Sequence, residues 1–355
     1  MNSLKMIEEL SNAYGAPGFE DEVLLVGRKY GEAFADISED SIRNLYFRRK
    51  ANTGNKPVVL LDAHSDECAF MISAIKPNGT LKFISLGGWS ANNVSAHKVL
   101  VRNQDGKWIP GVVAAKPVHF MHGNEKNQPL SIDSMVIDVG ATSQQEVEEI
   151  FKIHIAAPVV PDVTFEYNEQ TEVMLGKAFD CRIGCASVLE TMDNLKDADL
   201  KVDVVGSFST QEEIGARGAV VVANTVKPDI AIVFEGCPAD DTFADGCDSQ
   251  TGMKKGPMLR HIDMKMVTNP RFMKFALEIG KKYNLDFQEA IRSGGSTNGA
   301  PIHTSNHSVP VIVIGVPVRY AHSHHCFTAM SDYRNAVALA TEIVKALDAD
   351  MIGSF

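Results

Sequence analysis

Residues 57–72 read PVVLLDAHSDECAFMI, and the fold of the chain turns on how they are read. Val58 to Leu61 is an unbroken apolar run, the pattern of a strand covered on both faces in a largely parallel sheet. His64, Asp66 and Glu67 follow at its end. In open α/β sheets ligands gather at the carboxyl ends of the strands, so polar groups there mark a candidate site. Two later stretches repeat the arrangement. Ile230 to Phe234 ends on Glu235, and VPVIVIGVPV (309–318) is followed by RYAHSHHCF (319–327). Of the three histidines in that segment, His322 lies nearest the strand end. His324 and His325 are expected to support the site or to stand in solvent.

A fourth strand end is KVDVVGSFSTQEEIGARG (201–218). Val202, Val204 and Phe208 alternate with smaller or polar residues, which predicts a half-buried strand. Gly215 and Gly218 then turn the chain into a helix over 219–226. The adjacent acids Glu212 and Glu213 point in different directions on leaving a strand, so one can hold a metal while its neighbour reaches a bound water. Read alone, such a pair is more often a solvated loop. In VMLGKAFDCRIGCASVLETMDNL (173–195), Asp180 precedes a helix, where, read locally, an ordinary N-cap prevails over a ligand role.

Helices are predicted over 3–12, 20–34, 270–284 and 331–347. Between about Ser73 and Phe165 the pattern changes: Asn78-Gly79, Gly87-Gly88 and Asp105-Gly106 separate short apolar runs, the signature of a small all-β unit inserted between two α/β halves. Ser143 and Glu146 predict a capping box for a short helix, QQEVEEIF. His97, His119, His122 and His154 have no ligand spacing and read as structural or surface residues.

The chain has 355 residues, 45% of them hydrophobic and 22% charged, enough for a large domain plus a smaller one. Its net charge of −11, with scattered Lys and Arg, argues against nucleic acid or anionic membrane as partners. Two glutamates interrupt the N-terminal segment where a signal peptide would be apolar, and no apolar stretch is long enough for a membrane span. The six cysteines form neither a dense disulfide framework nor paired zinc spacing, which fits reduced thiols in a cytoplasmic chain. Cys68, Cys181, Cys237 and Cys326 fall close to the polar clusters and are expected to pack as small apolar groups.

His64, Asp180, Glu213, Glu235 and His322 thus stand at five strand ends or adjacent turns. Two histidines and three carboxylates suit two divalent ions, one carboxylate bridging and each ion keeping one histidine and one acid. The motifs AHSDECAFMI, GKAFDCRIGC, STQEEIGARGA, DIAIVFEG and RYAHS, in this order over nearly the whole chain, resemble those of the tetrahedral aminopeptidase family, which includes glutamyl aminopeptidases and "cellulase M" members. The resemblance implies an α/β chain: a three-layer α/β/α sandwich with a mixed sheet, of the co-catalytic metallopeptidase type, plus an inserted barrel-like β domain. Residues 1–72 and 166–355 would be catalytic and 73–165 a dimerisation insert, with dimers assembling into a homo-oligomer of twelve subunits.

It further implies that His64, Asp180, Glu213, Glu235 and His322 bind two divalent metals, with Asp180 bridging. Asp66 would orient His64, and Glu212 would be the general base in hydrolysis of the N-terminal peptide bond of short peptides by a water held between the metals. Zinc is the first expectation, with cobalt or manganese as alternatives. The sequence departs from the family pattern at Glu235, where many relatives have Asp, at Thr297-Asn298-Gly299 in place of Thr-Asp-Ala, and at His324-His325-Cys326 in place of a proline and an acid. A dinuclear amidase or deacylase acting on N-acylated small molecules is the competing enzyme, and a silent assembly subunit the competing non-enzyme. A glycosidase would leave the histidines without a purpose.

Overall fold

Eight strands form the main sheet in a computed structural model that describes residues 1–355. Their order is Ala35–Glu39, Leu45–Arg49, Asp203–Ser209, Val58–His64, Ile230–Pro238, Val311–Val318, Met258–Ile262 and Gln288–Ile291. The four central strands, from Asp203–Ser209 to Val311–Val318, are mutually parallel, while antiparallel pairings flank them. The apolar runs are continuous because both faces are covered. Val59, Leu61, Ile232 and Ile314 face helices Ser3–Asn12, Phe179–Leu195, Pro270–Lys282 and Met330–Ala346. Leu60, Ala231, Val233 and Val313 face helices Arg217–Val226 and Gly299–His303. The result is three layers with a mixed sheet in the middle. No helix is long and apolar enough to cross a membrane.

The Asp203–Ser209 strand corrects the half-buried expectation, since all seven of its residues are buried. It lies inside the sheet, between Leu45–Arg49 and Val58–His64, and the small Gly206, Ser207 and Ser209 that mimic a solvent face are packed against neighbours. The predicted QQEVEEIF helix is also shorter than expected. Only Gln144–Glu146 is α-helical, followed by a wider turn over Val147–Phe151. Ser143 does cap it, accepting from the Glu146 amide at 3.2 Å, but the Glu146 carboxylate turns to Thr142 instead of closing the box.

The inserted unit is a closed six-stranded antiparallel barrel made of Ala69–Ile75, Leu81–Leu86, Lys98–Arg102, Trp108–Ala114, Val136–Asp138 and Pro158–Pro161. Phe70, Ile72, Phe83, Val99, Val101 and Ile137 fill it. Its first strand begins only five residues after His64, so barrel and site share a junction. A three-stranded sheet of Glu166–Asn168, Val173–Gly176 and Cys326–Ala329 completes that junction. By pairing Gly176 with Cys326 it draws the loop carrying His322 toward Asp180.

Candidate metal centre

Parallel register sets the site. Ser209 pairs with His64, and Val233 pairs with Asp62, so two residues further along Glu235 stands level with His64. Asp180 arrives from the opposite layer, on a helix whose first residues are not helical: Asp180 and Cys181 have extended or bridging dihedrals. Its carboxylate makes no cap bond, so the N-cap reading of Asp180 fails. Gly236 permits this approach, since a Cβ there would lie 2.5 Å from the Phe179 carbonyl and 2.6 Å from the Asp180 Cα.

All five predicted donors are brought together around Asp180. Its Oδ1 lies 3.1 Å from His64 Nε2, and its Oδ2 lies 3.4 Å from His322 Nε2. Glu235 Oε2 is 3.7 Å from His64 Nε2, and Glu213 Oε2 is 3.7 Å from His322 Nε2. Asp180 therefore stands between two half-sites, His64 with Glu235 and His322 with Glu213. Glu212 lines the same cavity, of about 660 Å³, and so do Arg260, Lys265 and Arg292.

The outer contacts fix these groups. His64 Nδ1 faces the Asp66 main-chain oxygen at 3.2 Å and its carboxylate at 3.4 Å. The same carboxylate accepts the amides of Glu212 and Glu213, at 2.9 and 3.0 Å. Asp66 thus orients one histidine and also the turn that carries both glutamates. His322, held at φ 60° in the left-handed region, donates Nδ1–H to the Gly88 carbonyl at 2.7 Å, which leaves Nε2 free as a ligand atom. Behind the site, buried Glu67 pairs with Lys177 at 2.6 Å and Arg182 at 3.2 Å, and so belongs to the frame rather than to the donors.

Burial and close charge contacts shift the titratable groups of the cluster strongly. Burial pushes Glu212 up to about 8 and Glu213 up to about 7, against the pull of His64 and His322 respectively. Burial would lower His322, yet its bond to Asp180 and the Glu213 charge lift it to about 10. Asp180 moves the other way: against the effect of burial, its bonds to His322 and His64 hold its carboxyl below the usual carboxylate range. Oxygen and imidazole donors at these spacings fit a divalent-metal role.

One participant escaped the sequence reading, and two cysteines expected only to pack nearby stand among the donors. Gly88 reaches the site from the end of a barrel strand, and Gly87-Gly88 had registered only as a turn. Each half-site also contains a thiol: the donor atoms of His64, Asp180, Cys181 and Glu235 lie within 4.8 Å of one another, and so do those of Cys68, Glu213 and His322. Asn298, one of the departures from the family pattern, is fully buried and donates to Asp62 at 2.9 Å. An Asp in its place would set a second carboxylate against buried Asp62, which Ser207 and Ser209 already serve as donors. His324 is buried and stacks on His97 with centroids 4.1 Å apart, while His325 is exposed.

The M42 glutamyl aminopeptidase family matches residues 44–339. The chain belongs to the M42 aminopeptidase family. It is a metallo-aminopeptidase, a hydrolase acting on peptides. The TET aminopeptidase of a marine-sediment Thaumarchaeota archaeon superposes with a TM-score of 0.95 at 34% identity, covering 100% of this chain and 99% of that one. The Lactococcus lactis glutamyl aminopeptidase is 29% identical over 313 residues, 88% of this chain and 87% of the relative. The Pyrococcus horikoshii TET1 peptidase shares the fold, with a TM-score of 0.87 at 23% identity over 98% of this chain and 100% of that one. It can assemble into a tetrahedron or a large octahedral shell.

Proposed function

We propose that this M42 enzyme removes the N-terminal residue of short peptides at a centre for two divalent ions, zinc first among them. His64 and Glu235 would hold one ion, Glu213 and His322 the other, and Asp180 both. The observation that carries this reading is Asp180, whose two carboxylate oxygens face two different histidines at 3.1 and 3.4 Å. Divalent ions there would acidify a bound water and polarise the scissile carbonyl. Glu212 is the general base: its carboxylate takes the water proton and returns it to the departing amine nitrogen. Asp66 holds the Glu212 and Glu213 amides in register, so base and ligand move as one unit. The match to the M42 glutamyl aminopeptidase family over residues 44–339 supports peptidase over deacylase.

The barrel is proposed as the dimerisation element of a twelve-subunit shell. In support, it exposes the large apolar side chains Val118, Phe120, Ile150 and Ile155. Metal analysis together with aminoacyl anilides and N-acetylated amino acids tests the reading. Two ions per chain with cleavage of anilides alone is expected. Cleavage of N-acetylated compounds alone would replace it with a deacylase. Silence on both after addition of zinc, cobalt or manganese would leave an assembly subunit.

A further inference from the structure

We propose that Cys68 is a thiolate ligand of the metal position formed by Asp180, Glu213 and His322. The inference rests on the two-metal reading above and adds a donor to it. The sulfur of Cys68 lies within 4.8 Å of donor atoms of both Glu213 and His322. A separate cavity of about 20 Å³ is lined by Cys68, Asp180, Glu213 and His322 among its nine residues. That volume holds roughly one water-sized particle.

Gly87 lets the main chain pass close to both groups. It sits at φ 93°, and a Cβ there would lie 2.7 Å from the Cys68 sulfur and 2.9 Å from Glu213 Oε2. Sulfur and carboxylate thus flank one spot from which any side chain is excluded. Cys68 makes only a long 3.8 Å contact to the Gly88 carbonyl on the main-chain side, and its thiol otherwise faces the Glu213 carboxylate, itself one of the donors. Cys181, the thiol of the other half-site, is engaged with the Phe234 carbonyl at 3.2 Å. On metal binding the sulfur–metal bond forms as the S–H proton leaves to solvent, so one proton is released for this ligand. A soft thiolate biases the position toward zinc and cobalt and away from manganese and magnesium.

The test uses the full-length chain, stripped with a chelator and reloaded with zinc or cobalt(II) alone. Zinc absorption-edge spectroscopy on the wild type should show a sulfur neighbour at about 2.3 Å. The cobalt(II) form should show a thiolate-to-metal charge-transfer band in the near ultraviolet. Cys68→Ser and Cys68→Val should both lose the band, while Cys181→Ser keeps it. The zinc-over-manganese preference of the Cys68 variants should fall by roughly tenfold or more, the scale on which a group beside a metal alters its affinity. Bound metal without sulfur overturns the proposal and leaves the two-metal reading standing. A band lost only in Cys181→Ser overturns it in favour of the other thiol. Failure to bind metal at all overturns both.

Discussion

Glu212 and Asp66 carry separate parts of the chemistry. Glu212→Gln keeps size and hydrogen bonding but not basicity, so kcat should fall by about 10²-fold or more with the metal content unchanged. Turnover and elemental analysis on one preparation check this. Asp66→Asn leaves a single acceptor for two amides, and its amino group must face an N–H donor or the histidine. Metal affinity should drop by roughly 10–100-fold, read by chelator competition. Glu20 is a third position with a measurable consequence. It is buried, its Oε1 accepts from the amides of Gly18 and Gln211, and its Oε2 has no partner. Burial, with the nearby Asp66 charge, raises its carboxyl from 4.5 to about 8. Between those values the folded chain binds a proton that the unfolded chain has lost, so this group's contribution is full below 4.5 and is lost as pH rises toward 8. Denaturant titrations of the metal-free protein should show wild type losing stability relative to Glu20→Gln by up to about 1.4 kcal/mol per pH unit across that window. Parallel curves would remove Glu20 as the source.

At the level of elements, the central strands could be read from the sequence because a parallel sheet covered on both faces leaves one kind of pattern, an apolar run ending abruptly in a polar group. Val58–His64, Ile230–Pro238 and Val311–Val318 all have it, and their ends supply His64, Glu235 and the approach to His322. The Asp203–Ser209 strand lacked it. Its small polar residues serve buried contacts, Ser207 and Ser209 donating to Asp62, and composition alone makes these look like solvent positions. Gly88, and any part for Cys68 beyond packing beside the polar cluster, were hidden for another reason. Both lie at the junction with the barrel, and their closeness to Glu213 and His322 depends on how the insert closes, which local pattern does not encode. The same holds for the buried triad of Glu67, Lys177 and Arg182, which ties the segment after His64 to the start of the Phe179–Leu195 helix. Glu67→Ala leaves two buried cations uncompensated and should cost about 3–5 kcal/mol in denaturant unfolding.

For the whole molecule, the sheet and its insert together gather donors that are spread from position 64 to position 322. If the barrel also joins copies of the chain, Phe120→Asp should shift the assembly to smaller species in light scattering while turnover per chain on an aminoacyl anilide stays near wild type. Loss of turnover in step with mass would instead tie the site to the assembly. The account stands or falls on two ions sharing Asp180, and an anomalous-difference map of crystals of the zinc-loaded protein measures that most directly. It should contain two peaks per chain, one beside His64 and Glu235 and one beside Glu213 and His322, with the Asp180 carboxylate between them. A single peak, or two peaks that do not share Asp180, would contradict it.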